Sequence, residues 1–469
     1  MPMTISTTRP GTVLTVLLAG QTMASMDGSI VTVALPSIRR DLQAGAPVLQ
    51  LVPSAYLLTL GVLVVTGARL GDLLGHRRAF LSGLAAFTAS SLLCGLAPAA
   101  PVLVAARVAQ AAGAALMMPQ VFSLIQLRFD GAARKRAIGL YSMVLALGVA
   151  LGQLAGGVLV AADLFGLGWR PIFLVNVPVG AVLVAVGPRV LPEGRRVARR
   201  LDLGGVALLT AAMAALVVPL IFGGQHGWPL WAWASLCGGP VLLALFAGFE
   251  GRVARAGGVP LLDLAVLRPP GVRPALLTCC AVMGCYTAFL FTLTLHLQGD
   301  LGFGALAAGL AFLPYTAGFA ALSLTWARLP ERAQSALPVA GPAVFAGVVL
   351  VVAGFAGAVP GAGWPAGLGT PLLFLAGAGH AAGYSPLMAQ VAAVVGPDRA
   401  SALSALNSTG PVLASVGAVA GLGGLYLAAG AGPALAVVAA LLAAGALSAA
   451  VARTALRRRA PVEEHAAAG

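Results

Sequence analysis

The chain has 469 residues, of which 59% are hydrophobic and only 9% are charged, and its mean hydropathy is +0.96. Soluble domains carry about 25% charged residues, so this composition excludes a water-soluble globular protein and indicates a membrane protein with many spans. The net charge of +14 does not indicate nucleic-acid binding, because the arginines cluster in short connectors between apolar segments, where positive charge orients spans.

Apolar segments long enough to cross the hydrocarbon core, about 20 residues each, recur fourteen times along the chain. They predict an all-α polytopic protein with fourteen transmembrane helices. The first segment carries Asp27 and leads into further spans, so we expect it to remain uncleaved. The predicted spans are 12–35, 49–69, 79–97, 101–121, 137–160, 171–191, 203–222, 229–249, 273–297, 306–327, 338–357, 368–390, 402–425 and 432–452.

The predicted spans fall into two groups of six, separated by basic connectors and one additional pair of spans. We expect an N-terminal six-helix bundle at 1–191, a central region at 192–272 with two inserted helices, a C-terminal six-helix bundle at 273–452, and a tail at 453–469. Two six-helix bundles around a central site are what alternating access by rocking bundles requires.

Positive charge is distributed unequally between the two sets of connectors. If both termini are cytoplasmic, 24 of the 28 Lys and Arg residues lie on the cytoplasmic side, while Arg39, Arg40 and Arg170 lie outside and Arg107 lies within a span. Because basic residues are retained on the cytoplasmic side of bacterial and other plasma membranes, we predict a multi-pass protein of the inner (plasma) membrane with both termini in the cytoplasm.

Asp27 is a lone carboxylate inside the first apolar segment, within the run from Met26 to Pro36. An ionisable group at that depth costs several kcal/mol unless it is paired or protonated, and is therefore a functional-site hypothesis by default. It is the only carboxylate that the sequence places clearly within a predicted span. Asp27 thus predicts a proton-handling transporter, with a purely structural ion pair as the alternative.

Three stretches of the first half resemble motifs of the major facilitator superfamily. Residues 68–80 resemble its signature loop between the second and third spans, which implies a role in gating at the inner side. The alternative is that the arginines of this loop only anchor the topology. The matching residues are Leu70, Asp72, Gly75, Arg77 and Arg78, while Ala68, Leu73 and His76 depart from the usual pattern.

The second stretch, Arg107 to Gly113 in the fourth span, matches the superfamily's second motif at Arg107, Gln110 and Gly113. An arginine inside an apolar span needs a counter-charge or carbonyl partners. Together with Asp27, this resemblance implies a role for Arg107 in proton coupling. An arginine tied only to backbone carbonyls is the alternative.

The third stretch, in the fifth span, resembles the motif that marks proton antiporters of the superfamily. Small residues spaced by four lie on one helix face and let another helix approach closely, so simple helix packing is the alternative to a gating role. Gln153 stands where the family usually has proline, which removes an expected bend. The motif residues assigned to gating are Gly148, Gly152, Gln153, Gly156 and Gly157.

Two further runs resemble the fourteen-span drug:proton antiporter family in particular. These are the Asp27 run, in which Thr32 replaces the usual Asn, and the run from Trp169 to Gly180. The resemblance implies the major facilitator fold and the exchange of protons for amphipathic small molecules such as antibiotics, drugs or dyes.

The depth of three polar residues supports a site independently of the motifs. With a rise of 1.5 Å per residue, Asp27, Arg107 and Gln153 lie about 12, 9 and 10 Å below the outer ends of their predicted spans. We therefore expect one acid, one base and one amide at a single level of the first half, where protonation of Asp27 would change its pairing with Arg107.

Other polar and aromatic side chains within the predicted spans are candidates for substrate contact, although most such aromatics serve ordinary packing. His380 is the other titratable group near the midplane, and a lone histidine there is more often hydrogen-bonded and neutral than a proton relay. The candidates are Tyr56, Gln126, Tyr141, Tyr286, Phe289, Tyr315, His380, Tyr384 and Asn407.

Enzyme motifs do not occur in the sequence. The only lysine, Lys135, is not part of a P-loop, so we expect no ATP binding, and HExxH, GxSxG and paired intramembrane carboxylates are missing. The five cysteines form no CxxC, so no metal or other cofactor is expected.

The sequence therefore predicts a secondary transporter whose partners are small molecules, protons and the lipid bilayer. The alternatives are proton-independent transport or symport of a metabolite, and a membrane sensor or scaffold without transport activity.

We predict that the connector at 192–202 and the tail after Arg453 are both cytoplasmic, because the positive charges concentrate there. Single cysteines introduced at either place should resist membrane-impermeant maleimide in intact cells and react after permeabilisation. Labelling from outside would contradict the fourteen-span topology, and a cysteine at Arg40, on the predicted outer side, provides the positive control.

Overall fold

The structure is a computed structural model that describes residues 10–129, 131–192, 202–223, 227–258, 260–358, 366–395 and 400–457. Within these ranges some side chains, including those of Asp72 and Gln126, lie outside the description. The helices of the described residues are α1 (Pro10–Asp41), α2 (Ala46–Leu74), α3 (His76–Gly95), α4 (Ala100–Arg128), α5 (Gly131–Ala162), α6 (Pro171–Leu174), α7 (Asn176–Val190), α8 (Leu203–Phe222), α9 (Leu230–Arg255), α10 (Val272–Leu295), α11 (Ala305–Ala311), α12 (Leu313–Thr325), α13 (Glu331–Ala358), α14 (Ala366–Val395), α15 (Ala400–Ala429) and α16 (Ala431–Arg457).

The architecture is all-helical, as the sequence predicts, and every predicted span falls on one helix or on two consecutive helices. Eleven of these segments are long and apolar enough to cross a membrane by length and composition. Three further helices, α1, α5 and α14, contain 32, 32 and 30 residues. Since about 20 residues suffice to cross the hydrocarbon core, these three are long enough as well, and the total of fourteen spans stays a prediction.

Two of the predicted spans consist of two consecutive helices, joined at a residue whose backbone stays in the right-handed helical region. The sixth is divided into α6 and α7 around Val175, and the tenth is divided into α11 and α12 around Phe312. Pro314 lies in the first turn of α12, where its missing N–H and fixed φ suit a helix start. Hydropathy does not resolve such junctions, because both halves are equally apolar.

The chain forms two compact units. The first comprises residues up to Thr210 together with 303–310, and the second comprises 211–302 and the residues from Ala311 onward. The boundaries of these compact units differ from the bundle boundaries expected from the sequence, which set apart a central region at 192–272. The boundaries expected from the sequence remain our proposal for the functional bundles.

Helix pairing follows the same order in both units. In the first unit α1 packs on α5, α2 and α3 both pack on α4, and α3 packs on α7. In the second unit α10 packs on α15, α12 and α13 both pack on α14, and α13 packs on α16. Corresponding helices of the two units are therefore paired in equivalent order, while α9 and most of α8 belong to the second unit in addition. Such internal repetition is expected of a transporter built from repeats.

Glycines allow α14 to approach its neighbours closely. A Cβ on Gly379 would lie 2.7 Å from the Gly341 carbonyl oxygen of α13, and a Cβ on Gly377 would collide with the Tyr315 carbonyl of α12. Water-free packing between membrane helices depends on such small residues, since lipid supplies no hydrophobic force that holds helices together. The segment of α14 around His380 is thus held rigidly between two helices.

We predict that Gly377→Ala destabilises the protein by about 1–3 kcal/mol, because the added methyl group forces α12 and α14 apart. The melting temperature in detergent should fall. Gly347→Ala in α13 is the matched control, because a Cβ there meets no described atom within 4 Å, and the better helix propensity of alanine should leave its melting temperature unchanged or slightly raised. Equal melting temperatures for the two variants would contradict the packing argument.

Candidate functional site

The Asp27 carboxylate forms an ion pair with Arg107 inside the first unit, and both side chains are fully shielded from solvent. Nη1 of Arg107 donates to Asp27 Oδ2 and also to Gln110 Oε1 at 2.7 Å. Gln110 in turn donates from Nε2 to Asp27 Oδ1 at 2.8 Å. Both carboxylate oxygens are therefore satisfied by groups of α4, which compensates part of the cost of burying the charge.

Three more helices contribute to this pair. The Nδ2 of Asn176, at the start of α7, lies 3.4 Å from Asp27 Oδ1, and Gln110 Nε2 also donates to Ser91 of α3 at 2.8 Å. Nε of Arg107 donates to the Val52 carbonyl of α2 at 3.3 Å. A change in the charge of Asp27 would therefore act on five helices at once.

Aromatic side chains surround the guanidinium group of Arg107. Its Cζ lies 4.0 Å from the ring centroid of Tyr56 and 5.6 Å from that of Phe173. Among the described residues, no atom accepts a hydrogen bond from Nη2 of Arg107. A buried arginine with an N–H group left over is costly, so cation–π attraction to Tyr56 is a substantial part of what holds it there.

The expected triad of acid, base and amide is right in its first two members only. Gln153 does not bind Asp27. Its Nε2 donates instead to the Thr32 hydroxyl of α1 at 2.9 Å. The amides that bind Asp27 are Gln110 and Asn176, which the sequence analysis did not assign to the site, although both lie within the motif stretches. Equal depth could not distinguish these amides, because depth along a helix does not specify which face points to Asp27.

The two departures from the family pattern in this region, Thr32 and Gln153, form one pair. In addition to its bond from Gln153, the Thr32 hydroxyl donates to the Ser29 carbonyl at 2.5 Å. The pair joins α1 to α5 by a hydrogen bond at the position where a proline-bent α5 is usual in the family. Gln153 is buried and its Oε1 has no partner among the described atoms.

The glycine face of α5 packs against α1. A Cβ on Gly152 would lie 2.5 Å from the Met26 carbonyl oxygen, and a Cβ on Gly156 would lie 2.8 Å from the Ile30 carbonyl oxygen. Gly148 lies against the side chain of Ser25, whereas Gly157 faces the backbone of α11 at Ala305. The close approach expected from the glycine spacing is thus present, and its partner is the helix that carries Asp27.

The loop between α2 and α3 is a tight turn at Gly75, whose φ of 89° is strained for other residues. Arg77 donates to the Pro188 carbonyl in the last turn of α7, where a cation also meets the negative end of the helix dipole. Arg78 is exposed. The side chain of Asp72 lies outside the described residues, so its expected role in gating stays a prediction.

His76, which departs from the usual basic residue of this loop, contacts Gln120 of α4. Its Nδ1 lies 2.8 Å from Gln120 Oε1, while Gln120 Nε2 donates to the Gly67 carbonyl of α2 at 2.8 Å. Gln120 is fully buried. It ties α2, α3 and α4 together and was missed by the sequence analysis, since a glutamine next to a proline carries no motif signal.

Asp41, the last residue of α1, connects three segments of the chain. Its Oδ2 accepts from Trp169 Nε1 at 2.9 Å and from Arg170 Nη1 at 2.7 Å. Arg170 also lies 4.8 Å from the Trp169 ring and reaches the Ala97 carbonyl at 3.5 Å. The Trp169 N–H lowers the pKa of Asp41 below its ordinary value, partial burial opposes this shift, and Arg170 lowers the pKa further.

Four candidates for substrate contact come together in the second unit. We define the ring cluster as Tyr286 and Phe289 of α10, Tyr315 and Phe319 of α12, Phe345 of α13 and His380 of α14. The ring centroids of Tyr286 and His380 lie 4.8 Å apart, and the Tyr315 hydroxyl lies 2.7 Å from His380 Nδ1.

The remaining candidates lie apart from the ring cluster. Tyr384 donates to Asn407 at 2.9 Å within the second unit. In the first unit Tyr141 packs on Phe122 with ring centroids 5.8 Å apart, and the ring of Tyr56 contacts the guanidinium group of Arg107. The side chain of Gln126 lies outside the described residues.

Asp27 is not the only buried carboxylate, contrary to the sequence analysis. Glu250 in α9 is 1% exposed, and its Oε2 accepts from the Leu262 backbone N–H at 3.0 Å. Because Glu250 lies one residue beyond the predicted end of its span, it was assigned to the connector. Its carboxylate holds the segment that follows α9.

The described residues include no group of three or more His, Cys, Asp or Glu side chains that could hold a metal ion. All five cysteines are free, and Cys237 is exposed. An apolar cavity of about 280 Å³ in the second unit is lined by Leu276, Cys279, Cys280 and Pro411, among others, and none of the candidate residues for substrate contact lines it.

We predict that Asp41→Asn lowers the melting temperature at neutral pH. A lowered pKa means that the Asp41 interactions stabilise the fold above the ordinary carboxyl range of about pH 4 and are lost as the pH falls through the shifted pKa. The difference between variant and wild type should therefore disappear in acid. Arg40→Gln, at the exposed neighbour, is the control, and a deficit of Asp41→Asn that persists at low pH would contradict the assignment.

We also predict coupling between Thr32 and Gln153. Thr32→Val leaves the Gln153 amide buried without its acceptor, which costs about 1–3 kcal/mol, and Gln153→Ala removes the same bond. In a double-mutant cycle, the double variant should lose about 1 kcal/mol less unfolding free energy than the two single variants lose in sum. Thr22→Val, whose hydroxyl bonds the Leu18 carbonyl of its own helix, should be additive with Gln153→Ala.

Comparison with known proteins gives relatives over most of the chain. The cephamycin export protein CmcT of Amycolatopsis lactamdurans is 35% identical over 420 residues, which are 87% of this chain and 83% of that protein. The multidrug resistance protein Stp of Mycobacterium tuberculosis is 33% identical over 87% of this chain and 74% of that protein. A probable actinorhodin transporter of Streptomyces coelicolor is 37% identical over 65% of this chain, a match that spans only 53% of that transporter.

Solved structures show the same fold at low sequence identity. The crystal structure of a peptide transporter POT in complex with sulfate covers 95% of both chains with a TM-score of 0.69 and 16% identity. A bacterial homologue of the human lysosomal transporter Spinster covers 95% of this chain and 96% of that chain with a TM-score of 0.62 and 17% identity.

The family and these relatives are transporters rather than enzymes. The relatives with export or resistance in their names are consistent with the drug:proton antiporter family that the motifs indicate. The model of the Major Facilitator Superfamily matches residues 17–418, and the chain belongs to this superfamily of membrane transporters.

Proposed function

We propose that this chain exports amphipathic small molecules, such as antibiotics, drugs or dyes, across the plasma membrane in exchange for protons. The observation that carries the proposal is the fully buried Asp27–Arg107 pair in an apolar bundle. A buried ion pair is weak evidence for stability, whereas ionisable residues inside a membrane bundle commonly mark proton and ion pathways. Relatives named for cephamycin export and multidrug resistance support small-molecule export.

Protonation of Asp27 is the proposed coupling step. The ionised carboxylate attracts Arg107 and accepts from Gln110 and Asn176. A proton on Asp27 removes the charge, so that Arg107 is left in apolar surroundings without its counter-ion. A conformation in which Arg107 finds other partners then gains in population, because a proton can shift the equilibrium by its differential affinity for the two states.

The packing around Asp27 would transmit this change. Asp27 lies on α1, whose neighbouring turns contact the glycine face of α5 at Gly148, Gly152 and Gly156. Because small residues let α1 and α5 pack closely, a displacement of α1 would be passed on to α5. We propose that this face and the α2–α3 loop, with Asp72, Gly75, Arg77 and Arg78, gate the transitions of alternating access.

The energy available is sufficient for such exchange. Each elementary charge that crosses the membrane yields about 2.3 kcal/mol per 100 mV, and each pH unit adds about 1.4 kcal/mol per proton. One proton thus drives about tenfold accumulation for each pH unit. Neither ATP nor another cofactor has a part in this mechanism.

We predict that Asp27→Asn abolishes uphill transport driven by a pH gradient, because the amide cannot carry the proton. A growth assay against a panel of antibiotics and dyes first identifies an exported compound. Purified protein in liposomes with an imposed pH difference should then concentrate that compound, by about tenfold per pH unit for one proton, whereas Asp27→Asn should only equilibrate it.

Asp163→Asn is the matched control, because this exposed carboxylate caps a connector by accepting from the Gly168 N–H and lies away from Asp27. It should accumulate substrate like the wild type. Accumulation by Asp27→Asn under a pH difference alone would contradict the assignment of the proton site. Export by the wild type that is insensitive to a protonophore would favour the alternative of proton-independent transport.

A further inference from the structure

The ring cluster of the second unit lies at the middle of four apolar spans. Tyr286 is near the centre of the span Val272–Asp300, Tyr315 near that of Ala305–Arg328, Phe345 near that of α13, and His380 near that of α14. Transporters of this kind bind their substrates near the midplane of the bilayer. Four helices thus converge at the depth where a substrate site is expected.

Hydrogen bonding determines which nitrogen of His380 carries the proton. Its Nε2 lies 3.2 Å from the sulfur of Met283, and a thioether sulfur can only accept. The contact is favourable only if Nε2 bears the hydrogen. Nδ1 is then the acceptor, and the Tyr315 hydroxyl donates to it at 2.7 Å.

The Nε2–H group of His380 is therefore a buried donor with a weak acceptor. Sulfur accepts hydrogen bonds poorly, and methionine is flexible enough to move aside. Met283, Tyr286 and Phe319 are partly exposed, while His380 and Tyr315 are buried behind them. A ligand that approached over Tyr286 and displaced Met283 would meet the Nε2–H group of His380. The hydrogen bond from Tyr315 to the other ring nitrogen holds this donor in place.

The surrounding rings favour a flat, uncharged ligand. The planes of Tyr286 and Tyr315 differ by 18°, and those of Phe345 and His380 by 19°, so the cluster already contains offset-stacked pairs. None of the 14 acidic residues of the sequence lies in the interior of α10, α12, α13, α14, α15 or α16. A cation bound here would lack a counter-charge within those helices.

We propose that the ring cluster binds planar, neutral aromatic carbonyl compounds, which stack on Tyr286 and accept a hydrogen bond from His380 Nε2 after Met283 moves aside. This site deepens the proposed function, on which it rests for its role as a substrate site. Asp27 carries the proton in the first unit, and the ring cluster determines which molecules the second unit accepts.

A pair of ligands with almost the same shape tests the proposal. Fluorenone and fluorene are both flat tricyclic molecules, and they differ by a carbonyl group. Binding of tritium-labelled fluorenone to the purified full-length chain in detergent, and its displacement by unlabelled fluorene, measure both affinities without any gradient. We expect fluorenone to bind about tenfold more tightly, the ratio that one hydrogen bond to a well-placed donor provides.

Three variants assign this preference to the proposed atoms. His380→Phe keeps a ring but removes the donor, so the two ligands should bind equally. Met283→Leu removes the weak acceptor that competes with the ligand, so fluorenone affinity should rise severalfold while fluorene affinity stays the same. His296→Gln is the control. This histidine is paired with Asp300 at the end of the span that carries Met283, and its variant should retain the tenfold preference.

Several outcomes would overturn the proposal: equal binding of the two ligands to the wild type, a preference that survives in His380→Phe, or displacement of fluorenone by cationic ethidium as effectively as by unlabelled fluorenone. If His380→Phe does not fold, unchanged fluorenone affinity in Met283→Leu overturns it as well. A failure of the proposed function is distinguishable, because the fluorenone preference would then persist while pH-driven accumulation in liposomes is missing.

Discussion

A carboxylate and a guanidinium buried together in apolar surroundings are the constraint on which the first unit depends. Moving either charge out of water costs several kcal/mol, and only close pairing with further hydrogen bonds offsets that cost. Asp27 and Arg107 obtain these bonds from Gln110, Asn176 and the Val52 carbonyl. The helices around α1 and α4 therefore have to be arranged so that this pair keeps its hydrogen-bond partners.

The same constraint makes the pair suitable for coupling. The ionised Asp27 compensates the charge of Arg107, and once that carboxylate is neutral the arginine is left uncompensated, so protonation changes which conformation is favoured. The helix that carries Asp27 also makes close contacts with the glycine face of α5. The charge of Asp27 and the glycine contacts with α5 thus act on the same helix, α1.

The second unit repeats the helix pairing of the first without repeating its charges. Where the first unit contains an acid and an arginine, the second contains the ring cluster, with one imidazole that donates toward a methionine sulfur. Close glycine contacts of α14 with α12 and α13 hold that imidazole in place. Similar helix pairing therefore surrounds side chains of different chemistry in the two units, charged in the first and aromatic in the second.

The sequence by itself determined the class of the protein, the position of nearly every span, the superfamily, and the two charged residues of the first unit. Each of these rests on a property that one segment carries alone, such as the length of an apolar run, a motif, or the cost of a charge in lipid. The burial of Glu250 and the choice of Gln110 and Asn176 rather than Gln153 as partners of Asp27 were decided only by the tertiary structure. The ring cluster, assembled from four helices, was decided there as well. Hydropathy reports how deep a residue lies in the membrane, but the direction in which its side chain points depends on which helices pack together, and that is a property of the whole bundle.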